Sequence, residues 1–324
     1  MVEATLSEDE SLYIFYPLAF EGHVRARESN QLFAHYVSAS VAQSILAKSE
    51  FWMRNALAQN DYAEIEYGRT MLRHAFTSEL GSSFFGALDK CHQGLGQEVK
   101  AEYESPNFQH LLAAKTFIAC ITKHHEWEAG VGRLSMWRAY GGKHPVAVIF
   151  PQNALVRPEV NPGVFVQPIH YAGWEDFRQE LVRTTGRIFD AAARLSTVPR
   201  SDVRNRAIGS LVTKVTCTKH PGFHEECEWR LVMSSLYGAN LTSSRFSVEK
   251  ISDAPQLIYK GNLGLSGTAD FTGMPMEAAI HQIIIGPCPQ PYLVKEALVN
   301  ELSKHGVKNP SDRVVMSHIP LRRE

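Results

Sequence analysis

The chain has 324 residues, of which 44% are hydrophobic and 10% aromatic, so it is long enough for one large domain or two ordinary ones. Lysine and arginine number 33 against 34 acidic residues. This balance excludes a global basic field that would steer the chain to nucleic acid or to an anionic membrane. No uninterrupted apolar stretch is long enough to predict a membrane span.

The start of the chain and its cysteines indicate the compartment. Residues 1–10 are acidic, where a signal peptide would have a basic region followed by an apolar run. The five cysteines are scattered and include no C-x-x-C pair, which disfavours a disulfide framework and a thiolate zinc site. We therefore expect a cytoplasmic protein with reduced thiols and no metal cofactor.

The first half of the chain is predicted to begin with an N-terminal arm over residues 1–31, in which the aromatic segment 11–19 is a strand or an anchoring piece. The pattern then predicts strands at 32–37, 51–53 and 115–122, and helices at 38–48 and across 62–91. Residues 111–121 also fit a helix, although the strand is favoured.

The second half predicts strands at 146–150, 164–171, 226–233, 256–259, 282–285 and 313–318, and helices at 174–195, 202–215 and 292–305. Pro168 places its strand at a sheet edge or at a bulge. The pattern favours a single α+β domain over residues 32–324, with mixed or antiparallel central sheets and a flanking helical layer.

The segment 225–233, with the sequence EECEWRLVM, is the first block that could carry chemistry. In a strand the side chains alternate, so Glu226, Glu228 and Arg230 share one face while Trp229 lies on the other. Two carboxylates beside a guanidinium shift one another's pKa and hold a glutamate in a fixed orientation. The alternative is an ordinary surface ion pair.

The loop before this strand contains His220 and His224. Their spacing resembles that of metal ligands, but Pro221 and Gly222 between them break a helix and no third ligand is evident. We therefore predict no metal site there. Loops that deliver polar groups to the end of a strand frequently contribute to functional sites.

The segment 134–140, LSMWRAY, is the second block. Trp137 and Tyr140 are three residues apart, so they lie on one side of a helical turn that the two following glycines end. Aromatic residues at this spacing usually belong to a core. With Arg138 beside them they also suit a flat ligand ring such as nicotinamide or a nucleobase.

His35 and Tyr36 end the first firm strand and precede a helix start that contains Ser38 and Ser40. The amide groups at a helix N-terminus favour an anion such as phosphate. A His-Tyr pair is otherwise most often structural.

In chain order these pieces resemble the bacterial family called domain of unknown function 2971, from about residue 32 to the C-terminus. The resemblance rests on HYVSASVAQSIL, Phe51-Trp52, Asn60-Asp61 with Glu64, the LSMWRAYG block, the E-x-E-W-R block, Ile284-Ile285-Gly286-Pro287 and Ser317-His318-Ile319-Pro320-Leu321-Arg322. Tyr62-Ala63 depart from the family pattern, which continues Asn-Asp into proline and an acidic residue.

The order of the blocks is also distantly similar to ADP-ribosyltransferases, in which NAD lies in a cleft between two sheets. That resemblance implies that Glu228 binds a ribose hydroxyl and stabilises the oxocarbenium ion, while Glu226 orients or deprotonates the acceptor. It further implies that His35 holds the ribose or the amide. Tyr36, Trp137 or Tyr140 would stack on nicotinamide, and Arg230 would complete the site.

Three function classes therefore stay open. The first is an NAD-using transferase or hydrolase, of the toxin or phage-defence type. The second is a non-catalytic module that binds a small molecule or nucleotide through the Trp137/Tyr140 and Glu228/Arg230 pairs. The third is a metal-dependent nuclease using Asp61, Glu64, Glu226 and Glu228, which the near-neutral charge disfavours.

Overall fold

A computed structural model describes residues 5–58, 62–155, 164–237, 246–251, 253–262 and 274–320. The helices are α1 Glu8–Phe15, α2 Pro17–Glu28, α3 Ala39–Lys48, α4 Tyr62–Phe76, α5 Glu79–Cys91, α6 Leu95–Glu104, α7 Pro106–Ala114, α8 Leu134–Ala139, α9 Gln152–Leu155, α10 Trp174–Asp190, α11 Ala192–Leu195, α12 Arg200–Thr216, α13 Met276–Ala279, α14 Pro291–Lys304 and α15 Pro310–Arg313. The strands are β1 Leu32–Ser38, β2 Glu50–Asn55, β3 Thr116–His124, β4 Pro145–Pro151, β5 Val164–Pro168, β6 His170–Tyr171, β7 Thr218–Lys219, β8 Glu228–Ser234, β9 Phe246–Ile251, β10 Ala254–Asn262, β11 Gln282–Ile285 and β12 Val314–Met316.

A large mixed sheet occupies the centre. Its main path runs β12-β11-β4-β1-β3-β2-β10-β9, while β8 pairs with both β3 and β5. The pairings are antiparallel except that between β11 and β12. Helices flank this sheet, so the predicted α+β class is confirmed.

The sheet branches at β3. One edge of β3 pairs with β8 along its length, from Thr116 opposite Ser234 to Thr122 opposite Glu228. The other edge is shared, because β1 pairs only with residues 122–124 and β2 only with residues 117–118. Residues 119–121 therefore face a gap between β1 and β2, and α3 connects these two strands beside it.

The alternation predicted for β8 separates two cores. Trp229, Leu231 and Met233 belong to a cluster with Phe33 and Phe51. Val232 belongs to the second cluster, which the helices α1, α5, α10 and α12 build on the other face. Glu228 and Arg230 share the face of Val232, so the ionic face of this strand is covered by the helical layer and is not a surface.

The prediction of a strand at residues 11–19 is wrong, because this segment spans the end of α1 and the start of α2. Ser7 and Glu10 form a capping box, and Glu8, Asp9 and Glu10 place three acidic side chains in the first turn. Leu12 and Phe15, three residues apart, bury one face of α1 in the helical core. The aromatic residues of this segment favour a strand, so the helical spacing of its apolar residues was not recognised from the sequence.

The single strand predicted at 164–171 is also wrong. Pro168 ends β5, and β6 pairs in parallel with β7 as a separate two-stranded sheet. Proline has no backbone donor to continue the ladder. The break matters for the site, since the register of β6 and β7 places Tyr171 opposite Lys219.

Helices α4 and α12 cross closely at Gly68, and this contact gives a direct test of the packing. A Cβ at Gly68 would lie 2.3 Å from the carbonyl oxygen of Val215, whereas a Cβ at Gly86 on α5 would meet nothing within 4 Å. We expect Gly68→Ala to lower the free energy of unfolding by about 1–3 kcal/mol through overpacking. Gly86→Ala should raise it by about 0.4–1 kcal/mol. Urea denaturation measures both, and equal effects of the two substitutions would contradict the crossing.

Candidate active site

The gap between β1 and β2 contains a cavity of about 600 Å³. Its walls come from β1, α3, β2 and the middle of β3, and they are largely apolar, with Val37, Ile45, Ile118, Ala119 and Ile121 among them. This volume and this lining are typical of a small-molecule site. Glu226, Glu228, Lys219, Arg230 and Tyr140 add polar groups to one part of the wall.

Glu228 is the most constrained of these groups. Its side chain is buried, Arg230 Nε donates to Oε1 at 2.8 Å, and Lys219 Nζ donates to Oε2 at 3.2 Å. Burial alone would raise the pKa of the Glu228 carboxyl, but the positive charges of Arg230 and Lys219 outweigh burial and lower it. Glu228 is therefore a fixed negative charge whose orientation two cations determine.

Lys219 joins the two carboxylates. Its ammonium group also donates to Glu226 Oε2 at 2.6 Å and lies 4.6 Å from the centre of the Phe223 ring. The side chain of Glu226 is 21% exposed, against 7% for Glu228. Glu226 is thus the carboxylate more accessible from solvent. Lys219 was not among the predicted site residues, although it lies in the loop that the sequence indicated.

Glu226 does not extend β8, which corrects the predicted strand start. Residues 221–226 form a 3-10 helix, and Cys227 follows in the left-handed region at φ 46°. The chain turns at Cys227 before the strand begins. The carboxylate of Glu226 nevertheless reaches Lys219 from this turn. Glu226 and Glu228 therefore come together through their shared contact with Lys219, and not because they alternate along one strand.

His220 and His224 form hydrogen-bond contacts with the backbone of this turn. His220 Nδ1 accepts a hydrogen bond from the Gly222 amide, and His224 Nδ1 lies 3.0 Å from the Pro221 carbonyl oxygen. Within the part of the chain that the structure describes, no group of three His, Cys, Asp or Glu side chains is placed to hold a metal ion. Asp61 and the side chain of Glu64, which the nuclease hypothesis uses, lie outside the described residues.

Arg133 holds the turn in place, and the sequence patterns did not indicate it. Its guanidinium is buried and donates to Glu128, to the carbonyl oxygens of Glu225 and Glu226 at 2.6 and 2.8 Å, and to that of Lys123 at 2.8 Å. Glu128 is itself fully buried. This pair therefore fixes the backbone from which Glu226 extends.

His35 lines the cavity and bridges the gap in the sheet. Its Nδ1 lies 2.8 Å from the carbonyl oxygen of Cys120, at the part of β3 that no strand covers on that edge among the described residues. Because a carbonyl only accepts, Nδ1 carries the proton and Nε2 is an acceptor. Burial lowers the pKa of His35 to about 4, so the ring is neutral at physiological pH.

The structure separates the two aromatic residues of the second block. Trp137 is fully buried, its ring centre lies 4.7 Å from that of Tyr36, and it is absent from the cavity wall. The prediction that Trp137 stacks on a ligand is therefore corrected, because the spacing that suited a platform here builds a core. Tyr36 lines the cavity, but its hydroxyl accepts the Arg133 amide at 2.8 Å.

Tyr140 does reach the cavity. It ends α8, and Gly141 follows at φ 90°, where a Cβ would lie 2.6 Å from Pro145. The half-buried ring belongs to the same wall as His35 and Glu228. Burial raises the pKa of the Tyr140 hydroxyl, and the charge of Glu226 raises it further, so the hydroxyl stays protonated. Arg138 is exposed and lies away from the cavity.

The family model described as a protein of unknown function, DUF2971, matches residues 136–231. These residues are similar to that family. This region contains Tyr140, Lys219, Glu226, Glu228 and Arg230, whereas His35 lies before it. The predicted resemblance to the DUF2971 family is thereby confirmed over residues 136–231, while its extension to the flanking blocks and the similarity to ADP-ribosyltransferases stay predictions. No curated protein and no solved structure matches the chain.

Among the residues that the structure describes, no helix is both long enough and apolar enough to cross a bilayer.

The low pKa of His35 predicts how stability changes with pH. The unfolded chain protonates this ring near 6.5 and the folded chain only near 4, so between these values the unfolded state binds more protons. The free energy of unfolding should therefore fall as the pH decreases from about 6.5 to about 4. His35→Gln should reduce this slope by up to about 1.4 kcal/mol per pH unit.

Urea denaturation at several pH values measures the slope. His110→Gln, at an exposed position on α7, controls for the substitution itself. The remaining slope in His35→Gln reflects other histidines, since burial also lowers the pKa of His23 and His170 to about 4. An unchanged slope in His35→Gln would show that its ring is charged in the folded protein.

Proposed function

We propose that the chain is a cytoplasmic bacterial enzyme that binds NAD in this cavity and cleaves the bond between nicotinamide and ribose. The ADP-ribose would pass to water or to an acceptor, as in a toxin or a phage-defence effector. The observation that carries the proposal is convergence: His35, Tyr140 and the Glu226/Glu228 pair come from three distant segments of the chain and line one cavity.

The chemistry requires a negative charge beside the ribose. Departure of nicotinamide leaves positive charge on the ribose ring, which a preoriented carboxylate stabilises. Glu228 fits this role because its pKa is lowered and its orientation is fixed by Arg230 and Lys219. Glu226 is more exposed and therefore better placed to deprotonate the acceptor or a water molecule.

The neutral groups would orient the substrate. Nε2 of His35 is an acceptor and suits a ribose hydroxyl or the nicotinamide amide. The ring of Tyr140 offers an aromatic wall for the departing nicotinamide. Trp137 has no part in this arrangement, since it is enclosed in the core.

A second function has a specific observation in its favour. Glu228 Oε1 is hydrogen bonded to Arg230, and Oε2 to Lys219. Two carboxylates and two cations also leave this part of the wall without a formal net charge. Such a network suits a rigid binding site, so the alternative is a non-catalytic nucleotide-binding module.

Incubation with NAD distinguishes the two functions. We expect the purified chain to release nicotinamide, and Glu226→Gln to lower kcat roughly 100-fold, because general-base catalysis typically contributes factors of this size. Glu225→Gln is the matched control, since Glu225 is exposed and absent from the cavity wall. Chromatography of released nicotinamide measures each rate.

Glu228→Gln tests the charge itself, with its melting temperature measured in parallel because it leaves two buried cations with less compensation. A folded Glu228→Gln variant that retains the full rate would contradict the role of Glu228. Absence of nicotinamide release, together with a rise in melting temperature on adding NAD, would favour the binding module.

A further inference from the structure

Arg54 lies on β2 in the wall of the same cavity, and the sequence patterns did not indicate it. It is paired with Ile118 on β3, whereas Glu228 is paired with Thr122. Four residues of a strand span about 13 Å. Arg54 and the Glu228 network are therefore attached well apart along β3, on opposite edges of that strand.

The half-buried Arg54 differs from the buried arginines in its partners. Arg133 and Arg230 each pair with a carboxylate, but no carboxylate among the described residues lies within ion-pair distance of Arg54. Its Nη2 donates to the carbonyl oxygen of Ala58 and to Gln256 Oε1 at 3.3 Å, and its Nε is buried without a hydrogen-bond partner. Both partners are neutral, so no negative charge of the described residues pairs with this guanidinium.

An uncompensated charge in a cavity wall is unfavourable. Burial disfavours the charged guanidinium and lowers the pKa of Arg54. Removing one member of a buried ion pair is strongly destabilising because the remaining charge has no partner. Arg54 is half-buried, lines the cavity and has no carboxylate partner among the described residues, an arrangement expected where an anionic ligand supplies the negative charge.

The neighbouring wall is also suited to an anion. Ser40, Ser44 and Trp52 line the same cavity as Arg54, and so does Lys250, which pairs with the exposed Asp253. The carboxylates of the described lining are those of Glu226 and Glu228, both held by Lys219. Besides Arg54, the described lining therefore offers serine hydroxyl donors and a second cation outside the Glu228 network.

We propose that Arg54 forms a subsite for a phosphate or diphosphate group. A guanidinium presents paired donors that match the oxygen atoms of phosphate. The inference deepens the proposed function and rests on it for the identity of the nucleoside: the ribose would lie at Glu228 and the diphosphate at Arg54. The substrate class is then a nucleoside diphosphate ester and not a free nucleoside.

Calorimetric titration of the full chain tests the subsite with four probes: inorganic pyrophosphate, ADP-ribose, ADP and adenosine. We expect ADP to bind at least about tenfold more tightly than adenosine, because charge-assisted hydrogen bonds contribute this much. Arg54→Gln should remove this difference and abolish pyrophosphate binding. Arg54→Lys should retain part of it, since the charge persists while the paired donors are lost.

Arg27→Gln is the control, because Arg27 is exposed on α2 and absent from the cavity wall. It should bind all four probes as the wild type does. If Arg54→Gln does not fold, the affinities of the wild-type chain for ADP and adenosine still test the subsite. Equal affinity for the two probes would overturn it. Pyrophosphate binding that persists unchanged in a folded Arg54→Gln variant would overturn it as well.

The failure of this subsite is distinguishable from the failure of the proposed function. Release of nicotinamide from NAD, without any preference for ADP over adenosine, would support the proposed function and contradict the phosphate subsite. Pyrophosphate binding that depends on Arg54, without NAD cleavage, would support the subsite and contradict the proposed enzymatic function.

Discussion

The buried guanidinium of Arg133 connects the elements that build the cavity. Its side chain bonds to Glu128 and to the carbonyl oxygens of Lys123, Glu225 and Glu226, while its amide donates to the hydroxyl of Tyr36. One residue thereby joins the end of β3, the turn before β8 and the strand β1. Because hydrogen bonds in a low-dielectric interior are strong when satisfied and costly when broken, these segments hold a defined relative position. The cavity depends on that position.

The second constraint is the branching of the sheet. β3 pairs fully with β8 on one edge but shares its other edge between β1 and β2, and the cavity occupies the space between them. A carbonyl that a neighbouring strand would otherwise bind is left facing this space, and His35 satisfies it. The same branching separates two charged regions: a balanced network at Glu228, and Arg54, which has no carboxylate partner among the described residues. A ligand that is neutral or cationic at one end and anionic at the other matches this distribution.

Local patterns predicted several elements well because the responsible forces are local. Ser38 caps α3, and the following apolar residues bury one face of the helix, as the serine and its spacing indicated. Alternation in β8 assigned Trp229 and Arg230 to opposite faces, and the structure agrees. Where two patterns competed, the prediction failed. Residues 11–19 are rich in aromatic side chains, which favour strands, but the capping box before them starts a helix.

By itself, the sequence determined the α+β class, the order of most elements, the DUF2971 resemblance and the two blocks that contribute Tyr140, Glu226 and Glu228. Only the tertiary structure decided that Trp137 is enclosed while Tyr140 is not, since a period of three places both on one side of a turn without saying what covers it. It also decided the roles of Lys219, Arg133 and Arg54. Their importance comes from burial and from the presence or absence of a partner distant in the chain, and residue spacing carries no information about either.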